Sequence, residues 1–89
     1  MSVKLFLSAN LSRVAKGTEG FGVDGETVGG CINELVTIVP ALRNALLYES
    51  GRLIANVEVQ VNRENVAKEE RLTKKVKDGD EIHIAVKGH

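Results

Sequence analysis

The 89-residue sequence lacks several features that mark common protein classes. Its single cysteine, Cys31, excludes an internal disulfide and a cysteine metal cluster. Twelve basic and twelve acidic residues cancel, so no global field favours nucleic acid or an anionic membrane. No apolar run approaches the roughly 20 residues of a membrane span, and the start lacks a secretory signal. We therefore expect a cytoplasmic protein that binds neither nucleic acid nor membrane.

The sequence also lacks a catalytic constellation. No nucleophile, base and orienting group occur together, so an enzyme acting alone is not predicted. Cys31 lies among apolar residues without a basic neighbour, which is typical of a buried structural thiol. His83 and His89 have no organised carboxylate partner, so we predict no metal site. His83 is expected on the sheet surface.

The sequence does contain the pattern of one α+β domain over residues 1–89. Hydrophobic residues form 43% of the chain and charged residues 27%, which is ordinary for a globular domain. Apolar alternation predicts strands, and apolar residues three and four apart predict helices. The predicted order is a strand at 3–8, a helical turn within 9–17, a strand at 18–23, a helix at 27–39, a short helix at 40–47, a strand at 57–61, a turn at 62–65, an irregular connection at 66–73 and a strand at 81–86.

The predicted main helix has a defined start, an apolar stripe and a defined end. Thr27 is its cap, and Pro40 ends it. Gly29 and Gly30 weaken its first turn, which indicates close packing against a strand at that point. The apolar stripe consists of Val28, Cys31, Ile32, Leu35, Ile38 and Val39.

The final strand determines the predicted topology. A turn at residues 78–80 precedes it, because Gly79 can take a positive φ and the flanking aspartates can bond the local backbone. The crossover helix permits the first and last strands to lie side by side and parallel in the sheet centre. The predicted fold is a β-grasp, in which one main helix packs across a mixed sheet of four to five strands. Its core should bury Ile32, Leu35, Val59 and Ile84 together.

Five segments carry a resemblance to a known family. They are VKLFLSANLSRVAKG at 3–17, TVGGCINEL at 27–35, PALR at 40–43, VQVN at 59–62 and KDGDE at 77–81. In this order they resemble the ubiquitin-like sulfur carriers of the MoaD/ThiS type, which include the molybdopterin synthase small subunit. The resemblance implies a carrier and not an enzyme. In such carriers, a partner of the ubiquitin-activating type uses ATP to adenylate the C-terminal carboxylate. The carboxylate becomes a thiocarboxylate, and its sulfur goes to an acceptor in the biosynthesis of molybdopterin or of a related cofactor or amino acid.

The resemblance implies a working site at the C-terminus, where this sequence departs from the family pattern. Family members end in Gly-Gly, whereas this sequence ends in Lys87-Gly88-His89. Glycine suits a tail that threads a narrow channel, because it has no side chain to collide with the walls. The activated carboxylate would be that of Gly88 if His89 is removed, and that of His89 otherwise. Three interpretations stay open: a protease removes His89, His89 is not native to the protein, or carrier chemistry is lost and only a binding surface is kept.

The partner-binding residues implied by the resemblance are Phe6, Ala85, Val86 and Lys87. The implied partners are an adenylating enzyme and, as a further candidate, a larger synthase subunit. No cofactor is expected to be bound permanently, because the partner enzyme uses the ATP. Two alternatives stay open: a non-conjugating interaction module that uses the exposed sheet face, and a small subunit of a larger metalloenzyme.

Overall fold

The computed structural model describes residues 2–86, which form a five-stranded mixed sheet with helices packed on one face. The strands are β1 (Val3–Leu7), β2 (Gly20–Val23), β3 (Val57–Val61), β4 (Glu64–Asn65) and β5 (Glu81–Val86). The helices are α1 (Ala9–Val14), α2 (Val28–Ile38) and α3 (Ala41–Leu46), and a 3-10 turn covers Lys68–Glu70. Within residues 2–86, none of the helices has the length and apolarity needed to cross a membrane.

The strand order β2-β1-β5-β3-β4 places the final strand in the centre of the sheet. β5 runs parallel to β1, from the pair Lys4 and Glu81 to the pair Leu7 and Ile84. On its other side β5 runs antiparallel to β3. The predicted β-grasp topology is therefore confirmed, including the parallel pairing of the first and last strands.

The core lies between α2 and the sheet. The four residues predicted to meet there are at most 2% exposed: Ile32, Leu35, Val59 and Ile84. Thr27 caps α2 as predicted, because its Oγ1 accepts a hydrogen bond from the Gly30 N–H at 3.0 Å. The faces of α2 and of the sheet that carry these four residues are therefore buried against each other, as the apolar patterns predicted.

Two details of the predicted helix were wrong. Ile38 is 55% exposed and does not belong to the buried stripe. At 3.6 residues per turn, Ile38 lies roughly 90° around the helix from the middle of that stripe. Val36 lies at the opposite border of the stripe, and it is buried. Gly29 packs against the Leu72 carbonyl of a connection, not against a strand, and an added Cβ would lie 2.7 Å from that oxygen.

Strand β4 was missed because its turn lacks the usual sequence signal. Asn62 and Arg63 join β3 to β4, and both have positive φ, 52° and 71°. A hairpin turn of this kind is normally marked by Asn-Gly or Asp-Gly, since glycine takes positive φ without a steric penalty. The second turn position holds arginine instead of glycine, so the sequence lacks the usual hairpin signal. Residues 62–65 were therefore predicted as a turn only.

Asp80 fixes the start of β5. Its carboxylate accepts hydrogen bonds from Asn62 Nδ2 at 3.0 Å and from the Lys77 backbone N–H at 2.9 Å. Its carbonyl accepts a bond from the Lys4 N–H at 3.0 Å. The bond from Asn62, followed by that from Lys77, lowers the pKa of Asp80 below its ordinary value. One buried aspartate therefore ties β5 to β1 and to the β3–β4 hairpin.

Replacing Asp80 with asparagine should make stability less dependent on pH in the acid range. Because the folded-state pKa is lowered, the charged carboxylate stabilises the fold above the ordinary aspartate pKa of about 3.9, and this contribution is lost as the pH falls through the folded-state pKa. Urea unfolding should give a difference between wild type and Asp80→Asn that is constant above about pH 5 and shrinks below about pH 4. Parallel stability curves down to about pH 3 would contradict this role.

Candidate partner-binding face and carboxyl end

The carboxyl end of β5 is anchored on one side only. β5 pairs with β3 as far as Val86, whereas its pairing with β1 ends at Ile84. The Ser8 N–H donates to the Ile84 carbonyl at 3.0 Å, and α1 then leads the chain away. The segment predicted to be activated, which includes Gly88 and His89, follows this strand end and lies outside the described residues.

One row of residues crosses the sheet face opposite the helices through all five strands. The register aligns Gly20, Phe6, His83, Gln60 and Asn65 across β2, β1, β5, β3 and β4. The Phe6 and His83 rings stack with centroids 5.0 Å apart and planes at 26°. Gln60 Nε2 donates to Asn65 Oδ1 at 3.0 Å. These five residues are called the open-face row below.

Glycine at position 20 makes room for the aromatic ring of this row. A Cβ on Gly20 would lie 3.3 Å from the Phe6 ring, which is tighter than most Cβ contacts. The ring is therefore confined between the β2 backbone on one side and the His83 imidazole on the other. Such confinement presents one aromatic side chain in a fixed position on an otherwise polar face.

A groove of about 240 Å³ lies beside the open-face row at the carboxyl end of β5. Its lining includes Phe6, Ser8, Glu58, Gln60, His83 and Ala85. The volume is below the roughly 300 Å³ at which small-molecule pockets begin. An open groove of this size, with one aromatic ring and several polar groups, suits contact with a protein surface better than enclosure of a metabolite.

The structure brings some of the predicted partner-binding residues together and separates others. Phe6 and Ala85 both line the groove. Val86 faces the opposite side of the sheet, where it is half-buried against the core. Lys87, like the two residues after it, lies outside the described residues, so its role stays a prediction.

His83 belongs to this face, although the sequence predicted only a surface position for it. Its side chain is 42% exposed, yet its Nε2 atom is buried without a hydrogen bond and lies 3.7 Å from Glu81 Oε1. Strand alternation already placed His83 on the same face as Ala85. Its stack on Phe6 depends on the β1–β5 register, which no local pattern contains.

Comparison with known families identifies the domain. The ThiS family profile matches residues 9–85, which is most of the chain. The chain belongs to the ThiS family. The family predicted from the five sequence segments is thereby confirmed, and with it the assignment to the ubiquitin-like sulfur carriers and modifiers.

Solved structures resemble this ThiS-family domain over almost its whole length. Small archaeal modifier protein 1 from Haloferax volcanii is 31% identical with a TM-score of 0.83, over 94% of this chain and 92% of that one. CysO from Mycobacterium tuberculosis is 25% identical with a TM-score of 0.83, over 97% and 99%. CysO in a BexX/CysO complex from Amycolatopsis orientalis is 28% identical with a TM-score of 0.82, over 98% and 99%. No curated protein sequence matched the chain significantly.

These relatives are small carrier or modifier proteins, and one of the structures contains CysO bound to another protein. Binding to protein partners is thus a property of homologues of this ThiS-family chain. Within residues 2–86, the groove beside the open-face row includes Ala85 in its lining and so borders the strand end from which a carrier tail would leave.

The start of α2 offers no anion site in this ThiS-family domain. Its first N–H groups already have partners: Val28 donates to the Lys74 carbonyl at 2.9 Å, and Gly29 donates to the Leu72 carbonyl at 2.9 Å. The third donor, the Gly30 N–H, is bound to the Thr27 cap. A phosphate cannot use N–H groups that the segment at 72–74 already occupies.

Cys31 is buried, as its place on the apolar stripe predicted. Its Sγ donates to the Gly25 carbonyl at 3.5 Å. Burial, with smaller contributions from Glu34 and Asp24, raises the pKa of the thiol and so disfavours the nucleophilic thiolate. Within residues 2–86, no three His, Cys, Asp or Glu side chains are grouped so as to hold a metal ion.

Proposed function

We propose that this protein is a sulfur carrier whose C-terminal carboxylate is adenylated by a partner enzyme of the ubiquitin-activating type and then converted to a thiocarboxylate. The observation that carries the proposal is membership of the ThiS family across residues 9–85. The acceptor would be an intermediate in the biosynthesis of molybdopterin or of a related cofactor or amino acid. The protein itself acts as carrier and not as enzyme.

The geometry of β5 supports this role. In a carrier, the folded domain must give a short tail a fixed starting point while that tail enters the active site of another protein. β5 is the central strand, paired with β1 and β3, and Asp80 fixes its start. Its free end lies beside the groove that holds Phe6 and Ala85. Docking of the open face would therefore place the tail at a constant distance from the partner's ATP.

The proposed chemistry consists of two displacements on the partner enzyme. A carboxylate oxygen of the tail attacks the α-phosphorus of ATP, and pyrophosphate leaves, which gives an acyl adenylate. A sulfide donor then attacks the acyl carbon and forms the C–S bond of the thiocarboxylate, and AMP leaves with the electron pair of the broken C–O bond. The carrier contributes the carboxylate and its position, and the ATP belongs to the partner.

The carboxylate is that of Gly88 if His89 is removed, and that of His89 otherwise. The first case fits the chemistry better, because glycine leaves the channel around the reacting carbon free of side-chain atoms. With His89 in place, the residue whose carboxylate reacts would itself carry an imidazole side chain. We therefore propose that removal of His89 precedes activation.

ATP–pyrophosphate exchange with the adenylating enzyme of the same organism tests this function. The protein lacking His89 should support exchange at least as well as the full-length protein. Gly88→Ala, introduced into the shortened protein, should reduce exchange because a methyl group then occupies the channel. Neither change should alter the midpoint of urea unfolding, since terminal residues make few buried contacts.

The proposal fails if neither form supports exchange above background while both are folded. In that case the protein is an interaction module that is never adenylated. Intact mass of protein purified from its own source gives a second test, because it shows whether His89 is present and whether the terminus carries sulfur.

The same assay tests the open face. Phe6→Ala should raise the carrier concentration needed for half-maximal exchange without lowering the rate at saturation, because it removes a docking contact and not a reacting group. Val14→Ala is the matched control, since Val14 is an exposed hydrophobic residue on α1 outside the groove. Equal effects of the two changes would show that the partner docks elsewhere.

A further inference from the structure

The free edge of β2 exposes a complete set of backbone hydrogen-bonding groups. The Leu7 N–H donates to the Glu19 carbonyl at 2.8 Å, which fixes the alternation of the β1–β2 ladder. In an antiparallel ladder every second residue turns both its N–H and its C=O to the partner strand. Phe21 and Val23 therefore bond β1, whereas the N–H and C=O groups of Gly20 and Gly22 point away from the sheet.

Among residues 2–86, no side chain forms a hydrogen bond with the outward groups of Gly20 and Gly22. Gly20 and Gly22 are both exposed, and a Cβ added to Gly22 would meet no atom within 4 Å. Sheet edges are usually protected by charged side chains, proline, bulges or a covering loop, and the strand sequence GFGV contains neither a charged residue nor proline. Asp24 is the next residue whose N–H faces outward. This N–H already donates to Glu34 Oε2 at 2.8 Å, so the open edge ends before Asp24.

The opposite edge of the sheet is protected in the usual ways. β4 has only two residues, Glu64 and Asn65. The adjoining edge of β3 is covered by the following segment: the Val66 N–H donates to the Val59 carbonyl at 3.0 Å, and Arg71 Nη1 donates to the Val57 carbonyl at 2.6 Å. The two edges of one sheet thus differ, and within residues 2–86 the open one is β2.

Charge around β2 indicates what can pair with it. Residues 17–42 contain four acidic residues and no lysine or arginine, although the charges of the whole chain balance; the four are Glu19, Asp24, Glu26 and Glu34. Glu19 and Asp24 flank the strand directly at its two ends. Lys4 is the nearest base in register, but it lies on β1 and neighbours Glu81 on its other side.

These charges disfavour pairing of β2 with a second copy of itself. An antiparallel pairing that aligns Gly20 of one copy with Gly22 of the other brings Glu19 of each copy next to Asp24 of the other. Parallel pairing aligns like charges directly. The acidic groups that meet at both ends of such a ladder repel one another, which disfavours self-association and leaves the edge open to a segment of opposite charge.

We propose that the β2 edge is a second protein-binding site, at which an extended segment of a partner, with Lys or Arg at both ends, adds as a sixth strand. The backbone groups of Gly20 and Gly22 would supply the strand hydrogen bonds, and Glu19 and Asp24 would select the basic flanks. β2 is separated from β5 by β1, so this site is distinct from the groove at the end of β5. The proposal does not depend on the sulfur-carrier function.

Backbone amide exchange with a defined peptide tests the proposal. The probe is the capped hexapeptide Lys-Val-Thr-Val-Thr-Lys, and its control carries Glu in place of both lysines. In the free protein the amides of Gly20 and Gly22 should exchange fast and those of Phe21 and Val23 slowly. The Lys-flanked peptide should slow Gly20 and Gly22, and it should bind about 5- to 10-fold more tightly than the Glu-flanked peptide at low salt.

Two sets of variants make this test specific. Gly22→Pro removes an outward N–H without removing a ladder bond and should abolish the effect, whereas Gly22→Ala keeps the N–H and should preserve it. Glu19→Gln combined with Asp24→Asn should bring the two peptides to within about 2-fold of each other. High salt should do the same for the wild-type protein.

Three results would overturn the proposal. The first is unchanged exchange at Gly20 and Gly22 in millimolar Lys-flanked peptide. The second is equal binding of the Lys- and Glu-flanked peptides at low salt. The third is concentration-dependent dimerisation of the protein alone, measured by sedimentation and lost in Gly22→Pro, because it would make a second copy the occupant of the edge.

Discussion

Leu35→Ala is expected to lower the free energy of unfolding by about 2–5 kcal/mol. Leu35 is fully buried in the middle of the α2 stripe that packs on the sheet. Truncation to alanine removes apolar contacts and leaves a cavity that the rigid sheet beneath can fill only in part. Denaturant unfolding measured by circular dichroism would give the value.

The matched control lies one turn further along the same helix. Ile38 is 55% exposed, so Ile38→Ala should change stability by less than about 0.5 kcal/mol. The two substitutions change helix propensity by similar amounts and differ mainly in how deeply the replaced side chain is buried. A loss below about 1 kcal/mol for Leu35→Ala would mean that the face of α2 assigned to the core is wrong.

Gly25→Ala is expected to destabilise the domain by about 2–3 kcal/mol, although the φ of Gly25 does not require glycine. An added Cβ would clash with the Cys31 backbone nitrogen and would lie 2.6 Å from the Gly30 carbonyl carbon. Both are backbone atoms of the first turn of α2, which cannot rotate out of the way. The helix start, held on its other side by Leu72 and Lys74, would have to shift.

Gly22→Ala provides the comparison for this substitution. Gly22 has no atom within 4 Å of an added Cβ, so its replacement should stay within about 0.5 kcal/mol of wild type. Thermal unfolding of the two variants would separate close packing from the general effect of glycine on chain entropy. Similar losses in both would contradict the steric argument.

The sequence by itself determined the elements whose signals are local. Thr27 and Pro40 marked the ends of α2, the spacing of Ile32 and Leu35 marked its buried face, and Gly79 marked the turn before β5. Each signal depends on residues within one or two turns of helix or strand, where steric preference and burial act directly on the pattern. The order of these elements also predicted the β-grasp topology, because a crossover helix permits the first and last strands to pair in parallel.

The family was also contained in the sequence, through five short segments in a recognised order, and the match over residues 9–85 confirms it. The sequence specifies the chemistry at the C-terminus less completely than it specifies the family. The assignments of Gly88 and His89 follow from the resemblance and stay predictions, to be decided by the exchange assay.

Only the tertiary structure decided how distant residues meet. Phe6 and His83 stack because two strands far apart in sequence pair in one register, and Gly20 completes that contact from a third strand. The close approach of Gly29 to Leu72 likewise joins a helix to a connection more than forty residues away. Such contacts depend on strand register and chain crossing, which burial of the whole core selects, and a local pattern cannot specify them. The same holds for the open β2 edge, since a strand becomes an edge only through the order in which the sheet assembles.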